Sequence, residues 1–309
     1  MDFLPTDDQQ ALQAAIRGLL ERRLPLDRLD AGFDPGLWRE LATTGVFQLR
    51  QPADSGGLGL GMAEAVLVFE ELGRACVPGP LVASHLAAGH SPGPVTLLDP
   101  ASRPWIVSHL ECSVGLLILD DAGPRLASVA TVRAAALPAP LDPLSPVHEI
   151  VDLPLGDLLG GAELSERWRR EAATLTAALQ VGLASRMTDL AVGYAGQRQQ
   201  FGRVIGSFQA VKHICADMLV RVELARAALH AAAVALDEPD HPGQRRAVAG
   251  AKLLADEAAN CNGRACVQVH GGMGFTWEVP VHFFLKRAWL HATEHGDAAE
   301  HAAALGDLL

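Results

Sequence analysis

The sequence is poor in aromatic side chains, in positive charge and in paired cysteines, and each shortage excludes something. Phe, Trp and Tyr make up 5% of the 309 residues while 49% are hydrophobic. That leaves a large core to be built from Ala, Leu and Val, which is the material of packed helices. Twenty-five Lys and Arg stand against 36 Asp and Glu, a net charge of −11. The excess argues against nucleic acid or an anionic membrane as a general partner, although one local arginine still meets a pyrophosphate. No run reaches the roughly 18 consecutive apolar residues of a membrane span. The opening MDFLPTDDQQ has no basic region backed by an apolar stretch, so the expected location is the cytoplasm. Cys76, Cys112, Cys215, Cys261 and Cys266 form no C-x-x-C pair and sit among apolar residues, as free thiols in a reducing compartment do.

Thr6 followed by Gln9 has the form of a capping box, and Leu12, Ile16, Leu19 and Leu20 recur at helical spacing behind it. A first helix is expected over about 6–23 and a second from Pro35 to about Thr44. A third runs from about Met62 to Ala75, with Val66, Leu67, Phe69 and Leu72 inward and Glu70 and Glu71 partly outward. From Pro94 to Gly161 short β-rich runs (VTLL, WIVSHL, VGLLILD, LASVATVRAAAL, HEIVDLP) alternate with Pro, Gly and Asp, the texture of a small β domain. The remainder is helical, at about 164–200, 208–236, 243–269 and 279–293. Short links make it an antiparallel four-helix bundle, in which Ala225, Ala228, Ala232 and Ala235 form a close-packing seam. The expected division is 1–90, 91–162 and 163–309.

Two stretches carry chemistry. YAGQRQQFGRVIGSFQAVKHICADM, Tyr194 to Met218, reads as a helix that ends near Gln200, turns through Phe201-Gly202 and restarts after Gly206, presenting Arg198, Arg203 and Gln209. QVHGGMGFTWE, Gln268 to Glu278, reads as a helix stopped on Gly271-Gly272, leaving backbone N–H groups open to a phosphate. Gly202, Gly206 and Gly274 serve as turn glycines under any function, and Gln209 also reads as a helix cap.

In these two stretches the chain resembles the acyl-CoA dehydrogenase family, whose C-terminal helical domain has a similar R-x-Q-F-G…F-Q corner and Q-x-H-G-G-x-G turn. GGLGLGMAEAVLVFEELGRACVPGP resembles its N-terminal helical domain. The resemblance implies a mainly α fold with an N-terminal helical domain, a reduced middle β domain and a C-terminal bundle. It also implies that Arg198, Phe201, Gln209, Gln268, Gly271 and Gly272 hold the adenosine-pyrophosphate part of FAD bound mainly by a neighbouring subunit. Members oxidise an acyl-CoA, usually passing electrons to electron-transferring flavoprotein. Two family features are missing: the T-E-P-x-x-G-S-D-like and aromatic-Ile-Thr segments that hold the isoalloxazine ring, of which Trp105-Ile106 is the nearest relic. The family's base is a glutamate, and alignment puts His295 at one of its two positions, beside Glu294, and Ala172 at the other, beside Glu171.

The resemblance therefore implies one subunit of a heteromer, similar to short subunits of α2β2 assemblies acting on bulky acyl-CoAs such as those of steroid degradation, with a full-length partner supplying the carboxylate. Two other readings stay open: a flavin-free scaffold on a decayed fold, and a self-sufficient homo-oligomer using Glu294 or His295 as base. Gly89-His90-Ser91-Pro92-Gly93 satisfies G-x-S-x-G, but no apolar strand leads into it and Pro92 has no N–H for an oxyanion hole, so it reads as a linker. His291, His295 and His301 lack an acidic or Cys ligand to complete a metal site, and none is expected.

Overall fold

A computed structural model describes residues 5–101 and 103–307; the first four residues of the stretch read for a targeting signal lie outside it. Four helices come first: α1 (Asp7–Arg23), α2 (Pro35–Thr43), α3 (Met62–Arg74) and α4 (Leu81–Leu86). Seven strands follow: β1 (Val95–Leu98), β2 (Ile106–Ser108), β3 (Gly115–Asp120), β4 (Gly123–Ser128), β5 (Arg133–Ala136), β6 (Val147–Asp152) and β7 (Asp157–Leu158). Then come α5 (Ala162–Gln197), the short strands β8 (Gln199–Gln200) and β9 (Arg203–Val204), and α6 (Gln209–Asp237), α7 (Gln244–His270), α8 (Val281–His291) and α9 (Ala298–Gly306). The chain is mainly α, with helices, a small β region and long helices in the expected order. No helix among the described residues is long and apolar enough to cross a membrane. The contacts divide the chain into two compact units, one of residues 1–29, 66–77 and 176–309, the other of 30–65 and 78–175.

In the second unit, Asp34 caps α2 by accepting from the Gly36 N–H at 2.7 Å, and Pro35 occupies the first turn, where its missing N–H removes no bond. Trp38 stacks on Phe47. Gly79, at φ 134°, is held to glycine because a Cβ would lie 2.6 Å from the Trp38 ring. The strands form two sheets, β1-β3-β4-β7, in which only β1 and β3 run parallel, and antiparallel β2-β6-β5. Leu98, Val107, Leu110, Leu116, Ile118, Ala127 and Ile150 make their core, with Trp105 packed against it and Ile106 turned outward. Arg169 fastens the start of α5 to the strands through Asp99, Asp121 and the Leu119 carbonyl.

In the first unit, α3 and α5 meet backbone to backbone. A Cβ at Gly73 would lie 2.1 Å from the Leu179 carbonyl oxygen, and one at Gly182 2.0 Å from that of Glu70. Glu70 and Glu71 are buried, not partly outward as the helical pattern implies. Arg226 clasps Glu70 (2.6 and 3.1 Å) and Arg17 clasps Glu71 (2.6 and 2.9 Å), and these charge-assisted pairs make burial tolerable. Helix α7 packs against α6, α8 and α9. Ala225, Ala232 and Ala235 are buried in the α6 seam as read. Asn262 joins three helices by donating to Thr188 Oγ1 (3.2 Å) and the Met218 carbonyl (2.9 Å). Helix α9, not anticipated, starts on a capping box of Asp297 and Glu300.

Candidate functional site

Helix α5 delivers the first stretch. Its last regular residue is Gln197, and the Arg198 N–H still donates to the Tyr194 carbonyl at 2.9 Å. The expected helix-turn-helix corner is instead a β-hairpin: Gln199 pairs with Val204 and Gln200 with Arg203, and the Ile205 N–H returns to the Arg198 carbonyl at 2.8 Å. Its two loop residues, Phe201 (φ 53°) and Gly202 (φ 77°), are both left-handed, as the twist of a two-residue hairpin demands. Glycine takes that conformation freely; Phe201 bears a steric cost of about 1 kcal/mol and stands 90% exposed. Gly206 is fixed by packing, since a Cβ would lie 2.9 Å from the Ala195 carbonyl oxygen. The Arg203 guanidinium sits over the Phe208 ring at 4.1 Å, just before α6 begins at Gln209.

Helix α7 delivers the second stretch. It ends at His270, and Gly271 adopts φ 59°, ψ −137°, a conformation that belongs to glycine. The amide expected to lie open at Gly271 is engaged, because it caps the helix by donating to the Gln268 carbonyl. The space in front is open all the same: a Cβ on Gly271 or Gly272 would meet no atom within 4 Å. Gly274 is a packing glycine, with the Val267 carbonyl oxygen 2.7 Å from where its Cβ would be.

The two stretches meet through residues that sequence reasoning did not single out. Tyr194, one turn before Arg198, stacks on His270, two residues after Gln268, with ring centroids 4.3 Å apart. His270 is oriented by donating from Nδ1 to the Cys266 carbonyl at 2.8 Å. Cys266 is inert at neutral pH, its thiol pushed up to about 12, chiefly by burial. Tyr194 is the only tyrosine in the chain, a signal that was available in the sequence.

Arg198, Gln209 and Gln268 are exposed, and among the described residues none forms a side-chain hydrogen bond or ion pair. Gln209 does not cap α6. A free guanidinium, two free carboxamides and an open glycine backbone match a dinucleotide pyrophosphate, whose oxygens only accept hydrogen bonds. Exposed Phe201 and, beyond the second turn, Phe275 (83%) and Trp277 (70%) add flat apolar surface.

The carboxylates near the two base positions are engaged. Glu171 is buried in a two-point contact with Arg50 (2.9 and 2.8 Å). Glu294 accepts from His291 Nδ1 at 2.7 Å. His295 is left-handed at φ 59°, and its carbonyl accepts from His301 Nε2 at 3.0 Å. The turn bearing Glu294 and His295 is bracketed by buried Lys252, which donates to the carbonyls of His291 (3.1 Å) and Gly296 (3.3 Å) and pairs with Asp256 at 2.6 Å. Of the three histidines weighed as metal ligands, His291 faces a carboxylate and His301 a carbonyl. In the G-x-S-x-G stretch, Ser91 Oγ donates to the Gly93 carbonyl (3.3 Å), and what precedes it is α4, not a strand.

Comparison with known proteins agrees with this architecture. A model of the acyl-CoA dehydrogenase N-terminal domain matches residues 6–92, and one of the acyl-CoA dehydrogenase C-terminal domain matches residues 167–304. Acyl-CoA dehydrogenase IpdE2 of Mycolicibacterium smegmatis is 34% identical over 95% of this chain and 94% of its own length. Among solved structures, a chain of the ChsE4-ChsE5 complex from Mycobacterium tuberculosis has a TM-score of 0.83 at 24% identity, covering 99% of this chain and 98% of that one. A chain of the Tcur3481-Tcur3483 steroid ACAD G363A variant has a TM-score of 0.81 at 24% identity, covering 98% and 97%. At that identity the likeness establishes the fold.

Proposed function

The chain belongs to the acyl-CoA dehydrogenase family, and from that premise we propose that it is the short subunit of a heteromeric acyl-CoA dehydrogenase. In this reading Arg198, Gln209 and Gln268, with Phe201 and the backbone at Gly271 and Gly272, hold the pyrophosphate and adenosine end of an FAD whose ring lies on a full-length partner. With FAD bound, the flavin supplies a hydride acceptor for the acyl β-carbon, while a carboxylate of the partner takes the α-proton.

The observation that carries this reading is a contrast within the chain. Three donor side chains beside the two joined turns have no partner among the described residues, whereas Glu171 and Glu294, next to the two base positions, are engaged by Arg50 and His291. A chain of this kind grips an anion better than it removes a proton. The missing isoalloxazine segments point the same way. A bulky acyl-CoA of the steroid side-chain type is the substrate class we infer, with electron-transferring flavoprotein as acceptor and the cytoplasm as location. Support for the substrate is the resemblance of the GFTWE turn to short subunits acting on such thioesters, and two neighbours of the same fold are named as a complex and as a steroid enzyme.

Co-expression with a full-length family member tests the proposal. The expected product is a yellow 1:1 complex that oxidises acyl-CoA, with the isolated chain colourless and inactive. An isolated chain that binds FAD and turns over substrate contradicts it in favour of a homo-oligomeric enzyme. A colourless chain that never pairs contradicts it in favour of a scaffold.

A further inference from the structure

Away from the two turns, α1, α3 and α5 enclose a cleft of about 320 Å3 lined by Arg17, Arg74 and Arg186. Two of these arginines are committed. Arg17 clasps buried Glu71 at 2.6 and 2.9 Å, and Arg74 pairs with Asp189 at 2.6 Å and donates to Ser185 Oγ at 3.2 Å. Arg186 is different: half-buried, it forms no hydrogen bond or ion pair among the described residues. Burial pushes its guanidinium down and the charge of Arg74 adds to the effect, while Asp189 and Glu21 oppose it without making contact. A half-desolvated cation with its fork of N–H donors unused is costly unless an anion completes it.

The rest of the lining limits what that anion is. Leu20 and Leu24, both buried, form an apolar wall together with Pro25 and Leu26. Glu21 borders the same cleft and is exposed. If this acid were the intended partner it would sit on Arg186, and it does not. Its negative charge disfavours a doubly charged ligand more than a singly charged one. We propose that the cleft is a second ligand site, taking the carboxylate of a small apolar acid, with Arg186 gripping the carboxylate and the leucines covering its hydrocarbon part. The volume is at the lower end of the range for small-molecule pockets. This inference does not depend on the flavin reading.

The test is the thermal midpoint of the purified protein, alone or in its complex, titrated with sodium hexanoate, acetate or inorganic phosphate at constant ionic strength. Hexanoate is expected to raise the midpoint saturably, and more tightly than acetate or phosphate. Arg186→Gln should weaken hexanoate about tenfold or more, the loss of one charge-assisted contact, with far-UV circular dichroism unchanged. Glu21→Gln should tighten hexanoate, and it provides a readout should Arg186→Gln fail to fold. Absence of saturable binding, phosphate or acetate binding as tightly as hexanoate, or affinities unmoved by these substitutions would each overturn the proposal.

Discussion

The ring of Tyr194 lies on the imidazole of His270, planes 26° from parallel and centroids 4.3 Å apart. The last turn of α5 is thereby tied to the last turn of α7. Arg198 follows the first by hydrogen bonding back to the Tyr194 carbonyl, and Gln268 belongs to the second. This ring contact joins the ends of the two helices that carry Arg198 and Gln268, the two donors we propose for the pyrophosphate.

Truncating that contact should cost more in flavin than in fold. An aromatic pair is worth about 0.5–1.5 kcal/mol beyond its buried area, so Tyr194→Ala should lower the thermal midpoint by a few degrees. Flavin retention, followed by fluorescence during dilution of the complex, should fall severalfold, and Tyr194→Phe should restore it. Equal retention in the alanine and phenylalanine variants would mean that the stack does not space the donors.

Lys252 is fully buried, and its loss should be among the most damaging single changes in the chain. Burial pushes the Asp256 carboxyl up, and Lys252 opposes the shift. Lys252→Met leaves that acid and two carbonyls without their cation, a loss of about 3–5 kcal/mol in urea unfolding. Without the lysine Asp256 rises further and takes a proton more readily, so the loss should be smaller at pH 5 than at pH 8. Lys252→Met combined with Asp256→Leu should recover much of it, and a double variant no better than the single one would contradict this account of the pair.

Stability should also fall on mild acidification because of His85. This buried imidazole is pushed down from 6.5 to about 4, chiefly by burial and then by Arg50. The depressed group favours the fold fully above 6.5, and the benefit is lost as pH falls through that value towards 4. The difference is worth about 3 kcal/mol as an order of magnitude. Unfolding free energy measured at pH 7, 6, 5 and 4 should show the decline, with a shallower slope in His85→Gln; identical slopes would place its cause elsewhere.

Much of this was legible in the sequence because the signals are local. Thr6 and Gln9 form the capping box they spell, and the glycine after His270 ends α7 where glycine is needed. Most of the β-rich runs became strands within a few residues of their limits, but LASVATVRAAAL is broken by a 3-10 turn at Val129–Thr131 into the end of β4 and all of β5. What escaped depends on partners remote in the chain. Glu70 and Glu71 look like solvated positions until Arg226, 156 residues away, and Arg17, 54 away, are seen to reach them. The hairpin escaped because Phe201 adopts a left-handed conformation that phenylalanine does not advertise. At the site, the residue types were readable and their freedom was not: only the fold distinguishes Arg198, without a side-chain partner among the described residues, from Arg50, locked on Glu171.

The central claim is that this chain grips the diphosphate of a flavin carried by another polypeptide, and Arg198→Ala tests it most directly. The measurement is the FAD dissociation constant of the complex with its full-length partner, wild type against variant, with circular dichroism confirming intact helices. Loss of a charge-assisted contact of about 1.5–3 kcal/mol predicts a rise of roughly ten- to a hundredfold. A dissociation constant unchanged within twofold, in a complex that still assembles, would contradict the account.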